Sequence, residues 1–409
     1  MKLALCLEYP IGQFGGTEVL VLELVRGLAG KHQIVLVSRD DSGAVEKSTL
    51  GPLLAGHVSW ESSLVSLKQS QRLAQQLADQ GVELAHFHFG GNYGWGNRFW
   101  RACPIMHLKA LGIRCLSTNH GAFSIMDGYC GPQRSRLLKL ALFLPAWLSK
   151  QVVLTRLEAE VAVSQHDYRA LRRWYWPFRD KFRQIYHSRL REVDLHPVLD
   201  RTKTILCVGS IGFRKGQTVL ASAFSRVAHE YPDWNLILIG RHSEEILVRN
   251  IRDTISQQGL RDRIRLVDRC SDEELTGWMK RAAIFAMPSL HEGLGLSLQE
   301  ALAKGCACIG SRVGGIPDLI QDGDNGLLVE PGNVDQLAAG LDRMMGDEAL
   351  RARLSLRAPE SILEKEMTVS KMIEKYDKLY QEILHGPAPL LPGASKLTSI
   401  VPDPSVARN

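Results

Sequence analysis

Among its eight cysteines the chain has no Cys-x-x-Cys pair, so the spacing that holds a structural zinc is missing. Several cysteines sit inside apolar runs, as Cys6 does in Leu3–Leu7 and Cys207 in Ile205–Val208. They read as small buried apolar residues in a chain suited to a reducing cytosol. A long apolar run is also lacking. A bilayer-spanning helix needs about 20 apolar residues. The best stretch, Leu140–Leu148, is about half that length and contains Pro145. The first residues read directly as a strand, without the charged, apolar and cleavage regions of a signal peptide, so a cytoplasmic location is expected. Charge of one sign is scarce. Fifty Lys and Arg face 44 Asp and Glu, a net +6, too little to argue for nucleic acid and compatible with a phosphorylated substrate or an anionic membrane surface. No repeat of solenoid length is evident. With 45% hydrophobic and 23% charged residues, the composition excludes a mostly disordered, collagen-like or coiled-coil chain.

What is present is alternation. Short runs apolar on both faces recur at Leu3–Leu7, Ile34–Val37, Leu84–Phe89, Ile113–Thr118 and Ala159–Ser164. They recur again at Thr204–Val208, Leu236–Ile239, Ile264–Val267, Ile284–Met287, Ala307–Gly310 and Leu327–Glu330. Amphipathic segments such as Glu18–Leu28, Val219–Val227 and Leu337–Met345 lie between them. Strands buried on both faces and separated by helices predict parallel sheets covered on both sides. The 409 residues allow two or three domains of about 100–200 residues each, and the alternation runs twice. We therefore expect an α/β chain of two doubly wound, Rossmann-like domains with a cleft between them. The expected boundaries are 1–190 and 198–365, then a helix at 366–385 packing back on the first domain, and a proline-rich disordered tail at 386–409. The junction falls in polar Ser188–Lys203, and Ser42–Ser70 carries little signal. Ligands of such sheets bind beyond the carboxyl ends of the strands.

Three loops after strands carry chemistry. Ile11–Glu18, with Gly15 and Gly16, joins the first strand to the first helix. It can be an anion-binding turn or simply a tight turn, and it is not the dinucleotide fingerprint. Gly209-Ser210-Ile211-Gly212-Phe213-Arg214-Lys215-Gly216 places two cations in a glycine-rich turn, suited to a diphosphate or to solvent, and it is not a Walker loop. Pro288–Glu300 contains Glu292, then Gly293-Leu294-Gly295-Leu296, then Glu300. Free N–H groups at a helix start can hold a phosphate, and carboxylates can accept from paired sugar hydroxyls. Two carboxylates flanking such a start describe a nucleotide-sugar site.

Pro288–Glu300, continuing through Ala301–Gly305 and Val313–Asp318, resembles the retaining glycosyltransferases of family 4, whose two-domain architecture is called GT-B. The family's E-x7-E motif falls on Glu292 and Glu300. The resemblance implies a sugar moved from a nucleotide-sugar donor to an acceptor hydroxyl, on a glycan, a lipid-linked molecule or a small molecule, with retention of anomeric configuration. It implies that Glu292 binds donor-sugar hydroxyls and Glu300 the ribose, that Arg214 and Lys215 face the diphosphate beside Gly209, and that Gly15 and Gly16 line its other side. His120, in Thr118-Asn119-His120-Gly121, matches a family histidine beside the donor sugar. His120, Lys215 and Glu292 are thus the catalytic candidates, and Gly293, Leu294, Gly295 and Leu296 complete the donor loop. No metal and no cofactor is expected. The family's Asn-Gly-(Val/Ile)-Asp junction would fall on His187-Ser188-Arg189-Leu190 and is absent, and Ser210 stands where many relatives have Arg. Other readings of the same fold are a nucleotide-sugar 2-epimerase, a phosphorylase, or a non-catalytic partner subunit.

Four further features stay open. His86-x-His88 can be a metal pair or structural. Asp322-x-Asp324 sits in a Gly/Asn turn rather than a metal motif. The loop Gly90–Trp100 can stack on an acceptor or pack. Arg134–Arg156, basic and apolar together, can lie on an anionic bilayer, at the inner face of the membrane, or be a buried helix with a charged rim. Basic, aromatic Arg172–Trp176 adds to the bilayer reading.

Overall fold

The computed structural model describes the chain except residues 12–15, 61–65, 90–94, 96–100, 122–134, 199 and 387–409. Two parallel sheets form. The first holds β1 (Lys2–Leu7), β2 (Gln33–Ser38), β3 (Gly56–Ser59), β4 (Leu84–Phe89), β5 (Arg114–Asn119), β6 (Ala159–Ala162) and β7 (Phe182–Gln184), in the order β3-β2-β1-β4-β5-β6-β7. The second holds β8 (Thr202–Val208), β9 (Asn235–Ile239), β10 (Ile264–Val267), β11 (Ala282–Met287), β12 (Ala307–Ser311) and β13 (Gly326–Val329), in the order β10-β9-β8-β11-β12-β13. Both are doubly wound. The strand order reverses between β1 and β4 and again between β8 and β11, and a crevice for ligands opens at such points.

Burial explains the apolar runs. Every residue of β4, β11 and β12 is buried. Each sheet carries one apolar cluster on either face. Ala4, Val35, Phe87 and Trp95 lie on one side of the first sheet, and Leu3, Leu5, Leu24 and Leu36 on the other. The second sheet is covered likewise, by Leu220, Phe224 and Leu341 on one side and by Leu298, Leu302 and Ile362 on the other.

Between β7 and β8 the described residues 185–201 form no helix or strand. The last helix, Val369–His385, returns to the first domain. Met372, Tyr376, Leu379 and Tyr380 join the cluster around Leu3 and Leu24, and Asp377 accepts from Lys31 Nζ at 2.8 Å. Of the expected tail, 387–409 lie outside the described residues. The described cysteines are unpaired and, Cys270 apart, buried. Ser42–Ser70, which carries little sequence signal, contributes the short helix Ser42–Glu46 and β3.

The helix Arg136–Leu154 departs from the buried reading. Its second half buries Ala146, Ser149, Lys150, Val153 and Leu154, but Leu137, Leu140 and Leu144 in the first half are 81%, 75% and 58% exposed.

Candidate active site

Loops after β8 and β11, the two strands at the second sheet's switch point, build one corner of the site. Leu290 and His291 donate their backbone N–H groups to the Arg214 carbonyl at 2.7 and 3.2 Å, which fastens the cationic turn to the Glu292 loop. Lys215 Nζ then donates to Glu292 Oε2 at 2.5 Å, and Ser289 Oγ donates to the same oxygen at 3.3 Å. The pair is part-buried, where a charge-assisted bond gains more than in open water. Gly209 follows β8, and its N–H donates to the Ile239 carbonyl at 2.9 Å beside the Lys215 stem.

Gly295 adopts φ +99°, a backbone state disfavoured for side-chain-bearing residues, and stands at the N-terminus of the helix Leu296–Ala303. Gly293 is needed for closeness. A β-carbon there would stand 2.4 Å from the His120 carbonyl oxygen, so the donor loop touches the first domain directly. Leu294 is buried in the second domain's core. Leu296 packs against the first domain's cluster and lies 3.6 Å from where a Gly16 β-carbon would be. Gly16 therefore faces the donor helix, while Gly15 lies outside the described residues. A further bridge between domains runs from the Gln165 N–H to Asp318 Oδ2 at 2.6 Å.

Glu300 sits one turn into the donor helix. Arg189 Nη1 lies 3.3 Å from its Oε1. Burial pushes the Glu300 carboxyl up from its ordinary range, against the pull of Arg189 and Lys304. Its neighbour Gln299 donates from Nε2 to the His187 carbonyl at 3.0 Å. His187 and Arg189 occupy the absent junction motif and were not among the sequence-predicted site residues. Their position in that junction was the only signal.

His120 belongs to a buried cluster rather than standing alone. Its Nε2 shares a hydrogen bond with His88 Nδ1 at 3.0 Å. His86 bonds Tyr380 Oη through Nδ1 at 2.7 Å and Thr118 Oγ1 through Nε2 at 2.8 Å. Tyr376 Oη links Thr118 Oγ1, at 2.8 Å, to His187 Nε2, at 2.7 Å. Burial lowers the His120 pKa to about 3. Burial first, then repulsion among the rings, holds His86, His88 and His187 well below the ordinary value. All four are neutral at pH 7, so His120 can offer a hydrogen bond but not a positive charge.

The residues of the two candidate metal pairs have protein partners, His88 Nε2 apart. Both His86 ring nitrogens are engaged as above. Asp322 accepts from Arg312 and the Leu328 N–H, and Asp324 pairs with Arg357. No group of three or more metal-ligating side chains occurs among the described residues. In the Gly90–Trp100 loop the one described residue, Trp95, is fully buried against Phe87 and Trp60, and its Nε1 donates to the His88 carbonyl at 3.2 Å. Trp95 is therefore core, and the remaining loop residues lie outside the described ones.

Known proteins resemble this chain over both of its halves. A family model described as Glycosyltransferase Family 4 matches residues 14–188, and one described as Glycosyl transferases group 1 matches residues 194–361. An uncharacterized glycosyltransferase of Haemophilus influenzae is 28% identical over 175 residues, covering 42% of this chain and 48% of the relative. N-acetyl-alpha-D-glucosaminyl L-malate synthase of Bacillus anthracis is 30% identical over 174 residues, covering 42% of this chain and 44% of the relative. The matches thus span less than half the length of these curated relatives. The crystal structure of Anabaena HepE in complex with UDP and glucose superposes with a TM-score of 0.72 at 15% identity, covering 93% of this chain and all of the other, a likeness of fold. The fold is GT-B.

Proposed function

We propose that this chain, which belongs to the family 4 (group 1) glycosyltransferases, moves a sugar from a nucleotide-sugar donor to an acceptor hydroxyl with retention of anomeric configuration. The acceptor class is a glycan, a lipid-linked molecule or a small molecule. The observation that carries the reading is the Lys215–Glu292 pair, held at 2.5 Å beside the Gly295 helix start and across from His120. The cation and the carboxylate satisfy each other. A nucleotide-sugar brings a diphosphate for the cation and hydroxyls for the carboxylate, so each finds a complementary partner on the same ligand. HepE, of the same fold, was crystallised with UDP and glucose, which is the ligand chemistry this corner suits.

In this reading the second domain holds the donor and the first holds the acceptor. Lys215, Arg214 and the N–H groups of the helix Leu296–Ala303 stabilise charge growing on the leaving diphosphate. Glu300 takes the ribose hydroxyls. The neutral His120 cluster hydrogen-bonds near the sugar without adding a cation. The contact of Gly293 with His120 brings the domains together and excludes water from the reacting atoms. The leaving phosphate takes the acceptor proton on the same face, which keeps the anomeric configuration. The protein acts in the cytoplasm and needs no metal or cofactor.

A thermal-shift screen of nucleotide-sugars identifies the donor, since ligand binding to the folded state raises apparent stability. Glu292→Gln then tests the assignment. It keeps shape and one acceptor oxygen but loses the charge, so kcat falls while nucleoside diphosphate affinity stays near wild type. The free diphosphate has no sugar to meet Glu292 and is the internal control. Equal losses in affinity and transfer would put Glu292 on the nucleotide or the fold, and an unchanged kcat would remove it from the reaction.

A further inference from the structure

The helix Arg136–Leu154 presents a surface the proposed activity does not use. Leu137, Leu138, Leu140, Phe143, Leu144 and Leu148 are all exposed large apolar side chains within three and a half turns. Contiguous apolar surface of this kind marks an interaction site. Its second half is fixed to the domain. Lys150 Nζ donates to buried Glu160 at 2.6 Å, and Trp147 Nε1 donates to the Trp174 carbonyl at 2.7 Å. Lys181 Nζ caps the helix end by donating to the Leu154 and Leu157 carbonyls at 2.9 and 2.6 Å.

Those bonds set the neighbouring segment Arg172–Arg183 alongside the helix. That segment carries Trp176, 68% exposed, with exposed Arg173, Arg179 and Arg183 and a single acid, Asp180. The helix itself contains no Asp or Glu, and none occurs from residue 128 to residue 157, where five Lys and Arg lie. The patch is thus apolar in the middle and basic at the flank, with an exposed indole beside it.

We propose that this face docks on an anionic lipid bilayer, with the Arg136–Leu144 half of the helix lying among the headgroups. Charge complementarity selects this occupant. The same face of a second copy carries no acid on its helix to compensate this charge. Anionic headgroups reverse that sign, and each basic residue near the surface then adds attraction while the apolar side chains enter the acyl boundary. Anchoring of the second half argues against spanning. The helix has the length and composition to cross a membrane, but from Lys150 on it is anchored in the domain core, and the exposed half rises only about 13 Å against a hydrocarbon thickness of about 30 Å. The docking is independent of the glycosyl-transfer reading. If that reading also holds, the first domain meets its acceptor at the bilayer.

Vesicle flotation of the full chain tests the proposal. The chain should float with vesicles of phosphatidylcholine containing about one-third phosphatidylglycerol, and bind pure phosphatidylcholine about tenfold less. Raising sodium chloride from about 0.1 to about 1 M shortens the screening length from about 10 to about 3 Å and should release it. The triple variant Leu137→Ser, Leu140→Ser, Leu144→Ser changes exposed side chains only. It should keep the wild-type melting temperature and nucleotide affinity and lose about tenfold or more of its vesicle binding. Arg173→Glu with Arg179→Glu should lose the preference for anionic vesicles. Wild-type chain that fails to float overturns the proposal, and so does a folded triple variant that floats like wild type. A wild-type dimer in sedimentation that the triple variant converts to monomer overturns it as well, and assigns the face to a second copy.

Discussion

Buried His86, His88 and His187, with part-buried His120, make folding stability depend on pH, in a direction fixed by their surroundings. Each has its pKa lowered in the folded chain, by burial first and, for His86, His88 and His187, by neighbouring rings second, and burial takes His120 to about 3. In the unfolded chain each titrates near the ordinary 6.5 or so. Below that value the unfolded chain binds protons that the folded chain refuses, so stability falls with falling pH and is fully present above it. Between about pH 7.5 and about pH 5.5 a free imidazole becomes about ten-elevenths charged. That favours unfolding by about 1.4 kcal/mol for each imidazole kept neutral in the fold. Four such groups set a ceiling of about 5.5 kcal/mol, or about 6 °C in melting temperature for a chain of this length. His57, also lowered by burial, adds to the acid loss, while Glu300 and Asp318, raised by burial, oppose it.

Scanning calorimetry at the two pH values measures the total. His88→Asn assigns one share of it. His88 uses only Nδ1, toward His120, and its Nε2 has no hydrogen-bond partner among the described residues. Asparagine can return a polar atom to the Nδ1 position and cannot take a proton. The variant should lose some stability at both pH values, yet its further loss on going to the lower pH should be smaller by about 1.4 kcal/mol, about 1.5 °C. A wild-type melting temperature that is flat across the window refutes the neutral cluster. So does a variant whose acid loss equals that of the wild type.

Other expectations concern the donor. Glu300→Ala removes the charged acceptor assigned to the ribose and leaves Arg189 without its 3.3 Å partner. Calorimetry should show nucleoside diphosphate binding weakened by about 1.5–3 kcal/mol, and unchanged affinity would take Glu300 out of the site. Turnover should persist in excess EDTA. Activity lost there and regained with manganese or magnesium would return attention to Asp322-x-Asp324, whose carboxylates would then have to leave Arg312 and Arg357.

Buried strands announce themselves in sequence because both of their faces are apolar. β4, β10 and the start of β12 lie where the apolar runs place them. The two strands that escape sequence reasoning are β3, Gly-His-Val-Ser, and β7, Phe-Arg-Gln, each with a single buried residue at a sheet edge. At an edge one side of the strand has no neighbour, so the composition drifts toward that of a loop. Arg136–Leu154 fails in the opposite way. Its composition suits a core helix and a surface helix equally, and only the tertiary placement of residues 137–144 decides between them.

The site divides along the same physical line. Glu292, Gly293, Gly295 and Glu300 are legible because helix geometry fixes their relation within one local segment. Lys215 enters the site through the family resemblance alone, because a cationic glycine-rich turn suits solvent as well as a diphosphate. His187, Arg189, Gln299 and Tyr376 are not legible, because their roles exist only through contacts between distant segments. Tyr376 meets Thr118 across 258 residues, and Gln299 meets His187 across 112. Those same contacts join the returning C-terminal helix, the interdomain segment and the donor helix through one buried hydrogen-bonded cluster. The histidine beside the cleft is therefore held by the elements that set how the two domains meet. Gln299 holds the His187 carbonyl while the His187 ring lies edge-on to His120 at 4.9 Å, so the donor helix and His120 meet through one interdomain residue.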